Sequence, residues 1–88
     1  MIIAIKDWNS TRIYSTVITV NNTTFFATFN EFTDGIYIYY PFGSSERLVT
    51  VIPQPAGMIN IDLVEERIKN AFFYNPILKY LVRYKEAL

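Results

Sequence analysis

Tyr14-Ser15-Thr16-Val17-Ile18-Thr19-Val20-Asn21-Asn22-Thr23-Thr24-Phe25-Phe26-Ala27-Thr28-Phe29 is the stretch that decides the fold. Two runs rich in β-branched and aromatic residues, Arg12–Val20 and Thr23–Thr33, flank a pair of asparagines. Asparagine tolerates the positive φ that a two-residue hairpin turn demands. A tight turn there sets Val20 against Thr23, Ile18 against Phe25, Thr16 against Ala27 and Tyr14 against Phe29. Arg12 then falls opposite Glu31, a favourable cross-strand charge pair.

Asp34-Gly35 reads as the turn of a second hairpin, with Thr33 facing Ile36, Glu31 facing Ile38 and Phe29 facing Tyr40. Side chains alternate between faces along a strand, so the two hairpins together sort the residues into two sets. One set is Tyr14, Ile18, Val20, Phe25, Phe29, Ile36, Ile38 and Tyr40, the core face. The other places Ile13, Ser15, Val17, Thr19, Thr24, Thr28 and Asn30 around the aromatics Phe26, Phe32, Tyr37 and Tyr39.

Outer strands extend this meander: Ile2–Lys6, before a turn at Trp8-Asn9-Ser10-Thr11, and Arg47–Ile52, after a Phe42-Gly43-Ser44-Ser45 loop. Pro53-Gln54-Pro55-Ala56-Gly57 ends pairing, because two prolines remove ladder donors and the glycine frees the backbone. Beyond it the apolar period becomes helical. Asp62-Leu63-Val64-Glu65 has capping-box spacing, and Ile61, Val64, Ile68, Ala71 and Phe72 form a stripe. Glu65 and Lys69 stand as an outward i,i+4 pair. Asn75-Pro76 stops that helix and starts another, whose expected stripe is Ile77, Tyr80, Leu81, Tyr84 and Leu88. The expected fold is α+β, in a single domain spanning residues 1–88. Residues 1–53 form an antiparallel meander of four to five strands, and residues 58–88 form two C-terminal helices packed on one sheet face.

Composition narrows the function classes. At 10.3 kDa the chain folds to about 5,400 Å² of surface from about 15,000 Å² unfolded, enough for one thin core. It has no Cys and no His, so thiolate metal sites, cysteine nucleophiles and the commonest general base are excluded. The acids have structural roles to hand, and Glu65-Glu66 diverge by about 100° on a helix. The three glycines are isolated, which leaves no phosphate-cradling loop. The reading is therefore non-enzymatic, without cofactor or metal. No leading cations precede Ile2, and no apolar run approaches the ~20 residues of a membrane span, so an intracellular, cytoplasmic protein is expected.

Two surfaces remain as candidates. The first is the mixed sheet face with Phe26, Phe32, Tyr37 and Tyr39, joined by Trp8 as an anchor, because tyrosine bodies with polar tips suit a partly wet protein interface. The second is a set of basic residues, Arg67, Lys69, Lys79, Arg83 and Lys85, interleaved with Tyr80 and Tyr84. Helix cations engage phosphates and aromatics stack on bases. Eight basic and eight acidic residues cancel, which counts against bulk attraction to a polyanion. Twelve Ile, seven Tyr, seven Asn and seven Phe suggest an AT-rich genome, of the kind carried by phages, viruses and mobile elements. The leading reading is thus a small interaction domain that occupies a partner protein's surface, one form being an inhibitor of a host enzyme or defence complex. The alternatives are a nucleic-acid-binding module using the basic C-terminal helix, or a structural homo-oligomer.

Overall fold

The asparagine pair does what its chemistry requires. In a computed structural model, which describes residues 2–11, 13–54, 57 and 60–87 (side chains to 83), Asn21 and Asn22 have φ of 49° and 68°. They link β3 (Tyr14–Val20) to β4 (Thr23–Phe29), and the pairs run from Val20–Thr23 to Tyr14–Phe29 in the expected register. Ahead of them lie β1 (Ile3–Ile5) and β2 (Asn9–Ser10), both paired to β3; β2 occupies part of the expected turn after Trp8. After them come β5 (Gly35–Phe42) and β6 (Ser45–Pro53), then α1 (Ile61–Tyr74) and α2 (Pro76–Ala87). The sheet is antiparallel in the order β1-β3-β4-β5-β6, with β2 continuing the β1 margin.

The second hairpin differs from expectation. Ala27 pairs with Ile38 and Thr28 with Tyr37, a displacement of four residues. The cause is Asn30, whose Oδ1 accepts from the backbone N–H of Phe32 (2.8 Å) and Thr33 (3.0 Å). That side-chain turn ends β4 early, and Asp34-Gly35 becomes the entry to β5 instead of the turn itself. Because four is even, the side chains that stay in the strands keep their expected faces. Phe32, however, leaves the sheet and stands 83% exposed in the connection. Glu31 lies in the same connection, and its expected partner Arg12 falls outside the described residues.

Between β5 and β6, Ile38 faces Thr50 while Tyr39 faces Leu48, so Val49 is a bulge and leans with Ile52 toward the core. The core lies on the expected face, where Ile18, Val20, Phe25, Phe29, Ile36 and Ile38 meet Val64, Ile68, Phe72, Leu78 and Val82. Phe25 sits at its centre, edge-on to Phe72 (4.9 Å between ring centroids) and to Tyr40 (5.5 Å). One polar atom is out of place there. The Thr23 hydroxyl is buried and finds no hydrogen-bond partner among the described residues. Thr23→Val keeps the shape and removes the unpaired oxygen, so it is expected to raise stability by about 1 kcal/mol in denaturant titration. A loss of stability would show that the hydroxyl is satisfied in solution.

The helices start and turn differently in detail. The N-cap of α1 is Asn60, in extended backbone, with its Oδ1 accepting from Leu63 N–H at 3.2 Å. Asp62 instead sits in the first turn, where its charge faces the positive end of the helix. Asn75 both ends α1, donating its N–H to the Ala71 carbonyl (2.7 Å), and caps α2, its Oδ1 accepting from Ile77 and Leu78 N–H at 2.9 and 3.1 Å. Its Nδ2 also donates to Thr50 Oγ1 on β6 at 3.2 Å. This tether joins the start of α2 to the sheet. Leu78 and Val82 turn inward, so Ile77 and Tyr80, expected in the core, are exposed. The side chains of Tyr84 and Leu88 lie outside the described residues.

Candidate functional site

Two helices cover one side of a single sheet, and the parity of the strands leaves the opposite side with its own side-chain rows. The first runs Val17–Phe26–Tyr39–Leu48 across β3, β4, β5 and β6; the second runs Ser15–Thr28–Tyr37–Val51. Phe26, Tyr37 and Tyr39, all expected here, are only half-buried, each shielded in part by its neighbours. Leu48 and Val51 are exposed at the ends of the rows, and Ile13 is exposed just ahead of β3. No described element packs on this face. Leu48 and Val51 escaped the sequence reading because the bulge at Val49 inverts the parity of β6 partway along its length.

The face is hollowed toward the β1–β2 margin. A depression of about 380 Å³ has Ser15, Val17, Phe26 and Thr28 in its floor. Lys6, Asp7 and Asn9 line one side, and Glu46 reaches in from β6. The Thr16 hydroxyl donates to the Lys6 carbonyl at 2.6 Å, which holds the Lys6 end of the rim against β3. The chemistry of the hollow is an aromatic and apolar floor with hydroxyls and charged walls. Among the described residues no hydrogen bond joins either carboxylate to the Ser15 or Thr28 hydroxyl, and no cluster of ligating side chains suits a metal ion.

Trp8 does not belong to this face. Its ring is edge-on to Phe29 (5.3 Å between centroids), and its Nε1 donates to Glu65 Oε1 at 3.0 Å, so it closes the core against α1. Glu65, expected to point outward toward Lys69, is engaged there. Tyr14 stacks on the same Phe29 ring, 4.9 Å away. Phe32 stands apart at its loop tip.

The basic residues divide. Arg67 Nη1 donates to the Pro53 carbonyl at 2.8 Å and ties α1 to the end of β6. Lys69 is exposed on α1, and the Lys85 side chain lies outside the described residues. Lys79 and Arg83 are brought together on α2, around a shallow depression with Tyr74, Pro76 and Tyr80. Sequence reasoning missed Arg47, whose guanidinium carbon lies 4.8 Å from the centroid of the Phe42 ring. The signal was present, since a two-residue turn at Gly43-Ser44 pairs Phe42 with Ser45 and Tyr40 with Arg47.

No protein-family model, no curated protein and no solved structure matches the chain. No described helix is long and apolar enough to cross a membrane.

Proposed function

We propose that this chain is a non-catalytic interaction domain that occupies the surface of a partner protein with its open sheet face. One observation carries the reading: the rows from Val17 to Leu48 and from Ser15 to Val51 expose aromatic and aliphatic groups that no described element covers. A contiguous apolar face of this kind is more than scattered surface hydrophobics. Its make-up matches an interface, with Phe26, Tyr37 and Tyr39 as rigid anchors, hydroxyls between them, and Lys6, Asp7 and Glu46 as a charged rim. Steric occupation of a partner, the mode of an inhibitor, needs no more chemistry than this.

The test is capture of a partner from host lysate by the wild-type chain and by Tyr37→Ala and Tyr39→Ala, with the mass of each sample measured by light scattering. Truncating an anchor is expected to weaken capture by about 2 kcal/mol or more, roughly 30-fold. The chain should stay folded, with its thermal midpoint lowered only modestly, because neither ring is fully buried. If either substitution unfolds the chain, the face is structural and the reading falls. A melting temperature that rises with protein concentration would assign the face to a second copy instead.

A further inference from the structure

The rotation of α2 exposes a second surface, on the helix side of the molecule. Tyr80, 64% exposed, is shared by two adjoining depressions of about 280 Å³ each. One is lined by Tyr74, Pro76, Lys79, Tyr80 and Arg83; the other, by Tyr40, Phe42, Tyr80 and Leu81, opens toward the β5–β6 turn. Arg47 lies over Phe42 at the far end. Three cations, Lys79, Arg83 and Arg47, thus border a strip of aromatic rings, and among the described residues no carboxylate lines either depression. Lys79 and Arg83 are one helical turn apart, with about 5–6 Å between their Cβ atoms.

We infer that this strip binds single-stranded nucleic acid, its phosphates on Lys79, Arg83 and Arg47 and its bases stacked on Tyr74, Tyr80 and Phe42. Cations alternating with exposed rings are what such a strand needs, since each base has a face to stack and each linkage a charge. The strip is shallow and offers rings, which favours unstacked bases over the closed edges of a duplex. The neutral overall charge confines the attraction to this patch and limits its salt dependence. Three phosphate contacts on a single strand correspond to a log–log salt slope of about −2. The surface is separate from the open sheet face, so the two readings stand or fall independently.

Fluorescence anisotropy of labelled oligodeoxythymidylate, titrated with the full chain at several salt concentrations, tests the inference. Heparin, duplex DNA and phosphatidylserine vesicles are run beside it. Binding with a slope near −2 is expected. Tyr80→Ser should weaken it by about 5- to 150-fold, the range for removing one stacking ring. Arg47→Gln should weaken it and flatten the slope although it lies on a different element from α2, and Tyr39→Ala should leave it unchanged. Trp8 fluorescence and thermal midpoint, read on each variant, establish that it is folded. The inference is overturned by no binding at low salt, or by binding that a folded Tyr80→Ser variant retains in full. Equal affinity for heparin would reduce the strip to bare charge and overturn it as well. Preference for duplex or for vesicles over the single strand would do the same.

Discussion

Phe25→Ala is expected to lower the unfolding free energy by about 3–5 kcal/mol, the cost of truncating a buried phenylalanine. The ring is fully buried and meets both layers, Phe72 from α1 and Tyr40 from β5, so the sheet and the helical layer share the cavity it would leave. At about 0.05–0.15 kcal/mol per residue, a chain of 88 residues holds about 4–13 kcal/mol in total. The substitution therefore removes roughly a quarter of the stability or more and, where a cost near 5 kcal/mol meets a total near 4 kcal/mol, unfolds the chain. Urea titration followed by Trp8 fluorescence measures it, because that side chain lies against Phe29 in the same core. Phe32→Ala is the matched control: the same truncation on an exposed ring should change stability by about 0.5 kcal/mol or less. Similar costs for the two would mean that the helices do not pack on the Phe25 face.

The second large effect falls on a polar residue. Asn75→Ala removes the side-chain cap on Ile77 and Leu78 and the bond to Thr50 in one step. A cap is worth about 0.5–2 kcal/mol and a hydrogen bond about 1 kcal/mol, so a loss of about 2 kcal/mol is expected. Thr50→Val separates the two parts, since it cuts only the tether and should cost about 1 kcal/mol. Because both substitutions break the same bond, the double variant should be less destabilised than the summed singles. Strict additivity in chemical denaturation would show that the Asn75–Thr50 bond does not hold α2 to the sheet.

These residues also show where the sequence is readable. The β3–β4 register follows from two adjacent asparagines, because a two-residue turn leaves the flanking strands no freedom. Asp34-Gly35 carries an equally strong turn signal, yet Asn30 acts earlier in the chain and closes a different turn by side-chain hydrogen bonds. The faces survived because the displacement was even. The apolar stripe of α1 is unique and was legible; α2 carries two, one at Ile77 and Tyr80 and one at Leu78 and Val82. Periodicity cannot rank two apolar stripes on one helix; long-range contacts choose between them, the packing of Leu78 and Val82 in the core and the Asn75–Thr50 bond. Of the sheet-face candidates, Phe26, Tyr37 and Tyr39 were reachable by parity alone. Trp8 was not, since its position depends on a partner, Glu65, that is distant in sequence.

The margins of the sheet carry a consequence for the chain at high concentration. On one side the outer strand is broken into β1 and β2, with Lys6, Asp7 and Trp8 between them. On the other, β6 is bent by the bulge at Val49 and ends at Pro53, which has no N–H to donate. Each margin is interrupted, and such interruptions blunt an edge as a template on which further molecules could add strand by strand. The interruptions thus oppose strand-by-strand association in a protein whose sheet leaves one face uncovered by any described element.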